Sequence, residues 1–284
     1  MTRTGERGIA LVIVLWGVTL LALLAGGLAN TSGLAVRRMT HAIESAEAHA
    51  ALETAAAAAE LALSDPDPAK VWLPDGTPRR LALDFGEAEI TASSEAGKID
   101  LNHSPPVLLR ALFEQSTASS AEAERLIAAF SAWTMPGMGG RALLAVSELS
   151  ALPGISSRTY HRLLGACTVH NESGRLAWRL ADADTLSLIP GLTSQARTAL
   201  LAAKGRKDYT PDLATAQAFA AAGVTEEGAS PDPARPLYVT LEIAVRLPSH
   251  AIASAEAIVR LAPRESRPVT ILEWHEPQWR KEER

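Results

Sequence analysis

The chain has 284 residues, of which 47% are hydrophobic and 5% aromatic, and its formal net charge is −5. This length holds one or two domains with proper cores, and the apolar content excludes a disordered chain. The negative balance gives no overall attraction to nucleic acid. The single cysteine, Cys167, excludes an intramolecular disulfide and any metal site built on paired thiolates.

The first element is an apolar segment of 21 uncharged residues, Ile9 to Ala29, which follows a short leader containing two arginines. As a helix it would span about 30 Å, the thickness of the hydrocarbon core of a bilayer. Three interpretations compete. The segment is a secretory signal cut at the small residues 27 to 29, a plain membrane anchor, or an anchor whose leader is removed between Gly8 and Ile9.

The helical pattern continues beyond the apolar segment, and no proline occurs before Pro66. Apolar residues keep a spacing of three or four at Leu34, Val36, Met39, Ile43, Ala46, Ala50 and Leu52. We therefore predict one helix from about Ile9 to Leu63, roughly 80 Å long, with an apolar first part and an amphipathic second part. A discarded signal needs no such continuation, so the pattern favours an anchor that the mature protein keeps.

Strand patterns occur in two groups. The strongest lies in "LYVTLEIAVRL" (237 to 247), where apolar and polar residues alternate strictly. The segments "LALDF" and "AEITAS" predict an earlier strand pair with its turn near Gly86 and Glu87, after turn-rich connectors. The connectors are 64 to 70 and 73 to 78, and the further predicted strands are 256 to 262 and 269 to 274.

Between the strand groups the pattern is helical. The predicted fold class is therefore α+β, with the long N-terminal helix packed on a small antiparallel sheet and a large helical domain inserted into it. The predicted boundaries are a leader at 1–8, the long helix at 9–63 with a transmembrane part at 9–29, the sheet domain at 64–96 and 236–284, the inserted domain at 97–222 and a linker at 223–235.

The inserted region contains a repeat with an offset of 37 residues. "LSALPGISSRTYHRLL" (149 to 164) and "LSLIPGLTSQARTALL" (186 to 201) are identical at seven of sixteen positions. Each is typical of a helix-hairpin-helix, in which Gly154 or Gly191 takes a positive φ at the turn. Such hairpins bind DNA phosphates when a second glycine follows, but Ser156 and Thr193 stand there.

Two uses of the hairpins remain open. From Glu148 to Lys207 there are eight Lys/Arg and four Asp/Glu, an excess of four positive charges that could support phosphate contact. A structural use explains the same residues through a small apolar core. Its predicted members are Leu152, Ile155, Leu163, Ile189, Leu192 and Leu200.

The N-terminal segment resembles the type IV pilin-like proteins, in which a prepilin peptidase cleaves after a glycine and methylates the new N-terminus. Gly8 and Ile9 are the matching residues. Most such proteins carry a glutamate at mature position five, where this chain has Ile13. Lack of that glutamate is typical of one branch, the K-type minor pseudopilin of the bacterial type II secretion system (general secretion pathway protein K).

This resemblance implies a minor pseudopilin at the tip of the periplasmic pseudopilus, which helps to initiate filament assembly and protein export. The expected location is the inner membrane, crossed once, with the globular part in the periplasm. The expected partners are the I-type and J-type minor pseudopilins, the prepilin peptidase and the inner-membrane assembly platform. The alternative from another class is a membrane-tethered DNA-binding protein that uses the hairpins.

The resemblance extends to "GKIDLNHSPPVLLRALFE" (97 to 114), which introduces a helix in the family. Physically, Ser104 can cap that helix while Pro105 occupies a position where its missing N–H costs nothing. His103 is predicted to be a surface loop residue. Trp133 lies in a stretch that is rich in aspartate in the family but has no acid here, and it is predicted to be a core aromatic.

Calcium binding is implied only by the family, and the missing acids weaken it because Ca²⁺ needs six to eight oxygen ligands. The remaining carboxylates, which we interpret as solvated turns or helix caps, are Asp65 with Asp67, Asp182 with Asp184, Glu226 with Glu227, and Asp232.

No catalytic residues are predicted, because the sequence contains no nucleophile elbow, phosphate-binding loop or zinc spacing. His41 and His49 lie eight residues apart, too far for an i, i+4 ligand pair. Cys167 is predicted to be a buried small hydrophobe. The final stretch, 273 to 284, is predicted to be a strand end followed by a solvated tail, with partner docking as the alternative.

Overall fold

The computed structural model describes residues 5–67, 69–84, 86–134, 140–206, 208–226, 236–262 and 265–281, with side chains described except at 5–11, 23–37 and 276–281. The chain divides into two compact units, Met1–Ala51 and Leu52–Arg284.

The first element is helix α1, Gly5–Leu63, which has 59 residues. Its residues 5–51 belong to the first unit, and its residues from Leu52 onward belong to the second unit. The predicted helix is confirmed: it continues past the apolar segment and ends at the predicted residue. Within the second unit its buried residues repeat every three or four positions and form one face. They are Leu52, Ala55, Ala56, Ala59 and Leu63.

The second unit contains strands and the remaining helices. The strands are β1 (Asp75–Leu83), β2 (Gly86–Ser94), β3 (Ile99–Asp100), β4 (Cys167–Thr168), β5 (Leu176–Ala177), β6 (Val224–Thr225), β7 (Leu237–Arg246), β8 (Ala251–Leu261) and β9 (Val269–Lys281). The helices are α2 (Pro106–Ser116), α3 (Ser120–Thr134), α4 (Ser157–Leu164), α5 (Ala183–Ser187), α6 (Ser194–Ala203) and α7 (Leu213–Ala222).

The main sheet has five antiparallel strands in the order β1-β2-β7-β8-β9. Strand β7 shows the predicted alternation, since Val239, Leu241 and Ile243 are buried while Glu242 is exposed. The predicted mixture of helix and antiparallel sheet is thus present.

Strands β2 and β7 are neighbours in the sheet, so the chain between them is an insertion between two adjacent strands. This inserted region has its own core, built on the helices α2 to α7 and on two short parallel strand pairs, β3 with β4 and β5 with β6. Trp178 and Phe113 are the largest side chains that are fully buried there. The parallel pairs were not predicted, because strands of two residues carry no readable periodicity.

Several boundaries differ from the sequence-based expectations. The first strand begins at Asp75, inside the predicted connector, and the second strand already begins at Gly86, where the turn was expected. Strand β8 begins at Ala251, five residues before the predicted start. The predicted solvated tail is wrong as far as Lys281, because β9 continues to that residue and pairs with β8, for example through Trp279 and Ala253.

Candidate functional site

The predicted cleavage point lies at the beginning of α1. Gly8 and Ile9 belong to its first turns, but the side chains at 5–11 lie outside the described residues, as do leader residues 1–4 altogether. In the part of the chain that the structure describes, no helix has both the length and the apolar character to cross a membrane.

The next turns of α1 expose large apolar side chains in every direction. The exposed fraction is between 55% and 72% at Val12, Ile13, Val14, Leu15, Trp16, Val18, Leu20 and Leu21. Because five of these are consecutive, they cover the whole circumference of the helix. The hydroxyl of Thr19 donates to the carbonyl oxygens of Leu15 and Trp16, at 3.0 and 2.9 Å, so this polar group is satisfied within the helix. Large apolar side chains therefore face outward on all sides of this part of α1.

The two Pro-Gly turns have the predicted backbone. Gly154 has a φ of 84° and Gly191 a φ of 79°, in the region that glycine adopts without strain. The residue two positions after each glycine is a helix N-cap. Ser156 Oγ accepts from the N–H of Thr159, and Thr193 Oγ1 accepts from the N–H of Ala196, both at 3.1 Å. Side chains therefore fill the place that a phosphate would take.

The surroundings of the hairpins also favour the structural role. Thr159 Oγ1 donates to Glu122 Oε1 at 3.1 Å, which places a carboxylate at the N-terminus of α4. Arg179 donates to the carbonyl oxygen of Arg206 at 2.8 Å and pairs with Glu226. Part of the local positive charge is therefore already neutralised by the chain itself.

The predicted hairpin core is confirmed. Leu152, Leu163, Ile189 and Leu200 are buried, while Ile155 and Leu192 pack against the same cluster and are partly buried. Trp133 also packs against this core and is partly buried. Cys167 is buried as predicted, and its burial raises the pKa of the thiol to about 12.

The carboxylates considered for calcium hold their own turns or helix ends. Asp65 Oδ1 accepts from the N–H of Asp67 at 2.8 Å, and Asp182 caps α5 through the N–H of Thr185 at 2.6 Å. Glu226 pairs with an arginine. Within the described ranges, no three His, Cys, Asp or Glu side chains are grouped so that they could hold a metal ion. Two further candidates lie outside the described residues: Glu227 and Asp232.

The motif that begins at Gly97 folds around the buried carboxylate of Asp100, which sequence reasoning missed. Its Oδ1 accepts from the backbone N–H of Asn102 and of His103, at 2.8 and 2.7 Å, and lies 2.9 Å from His103 Nδ1. His103 is about half exposed, in accord with the prediction of a surface residue. The spacing Asp-x-Asn-His is typical of an Asx turn and was the available signal.

The predicted Ser104 cap is wrong. Helix α2 has Pro105 as its N-cap residue and no side-chain cap hydrogen bond. Ser104 Oγ is buried and has no hydrogen-bond partner among the described residues. Ser104 therefore stands one position before the N-cap, and the proline that follows it has no side-chain acceptor to offer.

A second buried carboxylate, Glu95, was also missed. It follows β2 directly, and its side chain is 1% exposed. It accepts hydrogen bonds from the hydroxyls of Thr168 and Thr240, and Lys98 Nζ lies 2.8 Å from its Oε1. Thr168 belongs to β4 in the inserted region and Thr240 to β7 in the sheet. Burial alone would lower the pKa of the Lys98 ammonium, but the adjacent Glu95 carboxylate outweighs it and raises that pKa.

Among solved structures, the fold is similar to that of a chain in "The Crystal Structure of the GspK-GspI-GspJ complex from enterotoxigenic Escherichia coli Type 2 Secretion System". The similarity has a TM-score of 0.52 at 14% sequence identity, and it covers 85% of this chain and 98% of that chain. No protein-family model matches the chain. No curated protein matches it either. The chain therefore shares its overall fold with that chain.

Proposed function

We propose that the chain is a K-type minor pseudopilin, which acts at the tip of the periplasmic type II secretion pseudopilus and helps to initiate its assembly. The observation that carries the proposal is the continuity of α1: one helix joins a segment that is apolar on all sides to a pilin-like sheet. The fold similarity to a chain of the GspK-GspI-GspJ complex supports it over 85% of the chain.

Membrane anchoring is part of this proposal. Residues 9–29 would hold the chain in the inner membrane, and the exposed apolar side chains from Val12 to Leu21 supply the surface that lipid requires. Thr19 adds no cost, because its hydroxyl is bonded within the helix. Gly17 has no atom within 4 Å of the place where a Cβ would stand, which leaves room for close approach by another helix.

Tip placement follows from two features. Ile13 stands where other pilin-like chains carry a glutamate, whose partner is the N-terminal amine of the adjoining subunit on the tip side. A subunit at the very tip has no neighbour that could offer this amine, and an unpaired carboxylate in lipid would be costly. The inserted region between β2 and β7 adds a large body to one end of the sheet, which stacked subunits would not accommodate.

The mature N-terminus tests the proposal. The chain is expressed with a prepilin peptidase, and the intact mass is measured by mass spectrometry. We expect N-methylated Ile9 as the first residue, and the Gly8→Val variant should keep its leader. A mature chain that begins at Asn30 would overturn the proposal, because the apolar segment would then be a discarded signal.

Partner binding is tested separately. The GspK-GspI-GspJ title describes an assembly of the neighbour, and we propose the same for this chain with I-type and J-type subunits. Co-purification of the full chain in detergent with both candidates should give a ternary complex. Failure to retain either subunit under conditions in which those two bind each other would contradict this assignment.

DNA binding is the second candidate, and the positive excess around the hairpins is the observation in its favour. A gel shift with duplex DNA across a salt series distinguishes the two. Salt-sensitive binding near micromolar concentration would favour DNA binding. We expect none, since Ser156 and Thr193 occupy the helix ends that phosphates would need.

A further inference from the structure

A short polar segment of the inserted region, residues 168 to 172, contacts the sheet. Successive residues of this segment alternate in the part of the molecule that they contact. Val169 belongs to the core of the inserted region, and the N–H of Asn171 donates to Asp100 at 2.9 Å. The other three residues bond to the sheet or to Glu95. They are Thr168, His170 and Glu172.

The inner half of this contact is buried. Glu95 accepts from Thr168 on one carboxylate oxygen and from Thr240 on the other, so one side chain bonds to both structural parts. Lys98 Nζ pairs with Glu95 and donates to Thr240 Oγ1 at 3.0 Å. The carboxylate is therefore paired and fully hydrogen-bonded, and removal of one partner would leave a buried group unsatisfied.

The outer half is closer to solvent. His170 Nε2 lies 3.1 Å from Glu273 Oε1 on β9, and these side chains are 14% and 19% exposed. The imidazole also stacks on Tyr238, with ring centroids 5.6 Å apart and an angle of 16°. Tyr238 Oη in turn donates to Glu172 Oε1 at 3.0 Å. Replacing these contacts by hydrogen bonds to water costs less free energy than it would in the inner half, because solvent already reaches the side chains.

A covalent and hydrogen-bonded path through residues 168 to 170 joins the two halves. Thr168 Oγ1, which donates to Glu95, accepts from the N–H of His170 at 3.0 Å. A continuous chain of contacts therefore leads from β7 through Glu95, Thr168 and His170 to β9.

We propose that residues 168 to 172 form a two-stage clasp between the inserted region and the sheet. The outer stage, His170 with Glu273 and Glu172 with Tyr238, opens first and reversibly. The inner stage, Glu95 with Lys98, Thr168 and Thr240, stays closed and keeps the inserted region attached to β7. The clasp is inferred from the contacts within this chain. Only its use in secretion rests on the proposed function: a subunit at the tip could tilt its inserted region without detaching it from the sheet.

Hydrogen exchange of the full chain in detergent, followed by mass spectrometry of peptides, tests the clasp. The Glu273→Gln variant removes the negative charge that faces His170 and keeps the shape of the side chain. We expect exchange to rise on the order of ten-fold in peptides that cover 168–172 and 269–275. Peptides from α2 and α3 should keep their rates, because the inner stage remains.

Glu89→Gln is the matched control, since Glu89 forms an exposed ion pair with Arg80 on the same sheet, 3.2 Å apart. It should leave exchange at 168–172 unchanged. Unchanged exchange at 168–172 in Glu273→Gln would overturn the proposal, and so would an equal rise in every peptide.

The inner stage has its own variant. Thr168→Val removes one hydroxyl and keeps the volume, and we expect exchange to rise at 168–172 and at 237–241 together. A rise confined to 168–172 would show that the two stages are not ordered as proposed. The result is independent of N-terminal processing and of partner binding, so its failure and that of the proposed function can be told apart.

Discussion

The backbone N–H of Asn171 donates a hydrogen bond of 2.9 Å to the buried carboxylate of Asp100, which stands 71 residues earlier in the chain. The other oxygen of the same carboxylate holds the turn that precedes α2. One buried side chain therefore fixes both the entry to the first helix of the inserted region and the loop that follows β4.

Substitution of this carboxylate should be costly. In Asp100→Asn one acceptor oxygen becomes an amide donor that faces backbone donors, and we expect a loss of about 3 kcal/mol in the free energy of unfolding. Urea denaturation followed by circular dichroism measures it. Asp67→Asn is the control, because Asp67 is partly exposed and accepts from one N–H, of Ala69. Equal losses in the two variants would contradict the assigned role.

The glycine that opens the same motif is predicted to be irreplaceable for a steric reason. A Cβ at Gly97 would stand 2.6 Å from the carbonyl carbon and oxygen of Leu180, which are backbone atoms that cannot move aside alone. Gly97→Ala should destabilise the chain by about 2 kcal/mol.

Gly165→Ala is the matched control for that measurement. Gly165 has helical backbone angles and no atom within 4 Å of the Cβ position, so its change should stay within about 0.5 kcal/mol. Thermal denaturation of both variants gives the comparison. A neutral Gly97→Ala would mean that the backbone there relaxes freely.

Cys167 should be unreactive in the folded chain. Its thiol is buried, and the raised pKa of about 12 leaves almost no thiolate near neutral pH. We expect no reaction with dithionitrobenzoate at pH 8 until urea unfolds the chain. Fast labelling of the folded protein would contradict the burial.

The same thiol predicts a pH dependence. Because the folded state holds the proton more tightly than the unfolded chain, this contribution to stability is complete below the usual thiol pKa of about 9 and is lost as pH rises toward 12. Unfolding free energies of the wild type and of Cys167→Ala between pH 8 and pH 11 should therefore converge as the pH rises.

Trp178 is predicted to be the largest single contributor to the core of the inserted region. Its ring is fully buried between Phe219 and Tyr209, with centroid distances of 6.2 and 5.9 Å. Trp178→Ala should cost about 3–5 kcal/mol. Trp72→Ala, which removes a partly exposed ring under Arg79, should cost about 1 kcal/mol or less. Urea denaturation would contradict the ranking if the two losses were alike.

Helix α1 and strand β7 could be predicted from the sequence because each carries a long, unbroken period. The Pro-Gly turns could be predicted because a turn with a positive φ favours glycine, and the sequence has glycine at both places, Gly154 and Gly191. The fold class followed from the order of these elements along the chain.

The buried polar groups could not be predicted. Glu95 bonds to Thr240, 145 residues away, and no local pattern distinguishes it from a solvated turn residue. The second half of β9 was missed for a related reason, since its charged and proline residues argue against a strand and its pairing with β8 leaves no local sequence pattern. The Ser104 cap was wrong because the helix begins one residue later than expected, with Pro105 rather than Ser104 as its N-cap residue.

The departure and return points of the inserted region are partners in the sheet, since Ser94 pairs with Val239 across β2 and β7. A short turn could join them directly and convert the two strands into an ordinary β-hairpin, with the order of the sheet unchanged. The inserted region can therefore change in length or be replaced without any change in the topology of the sheet.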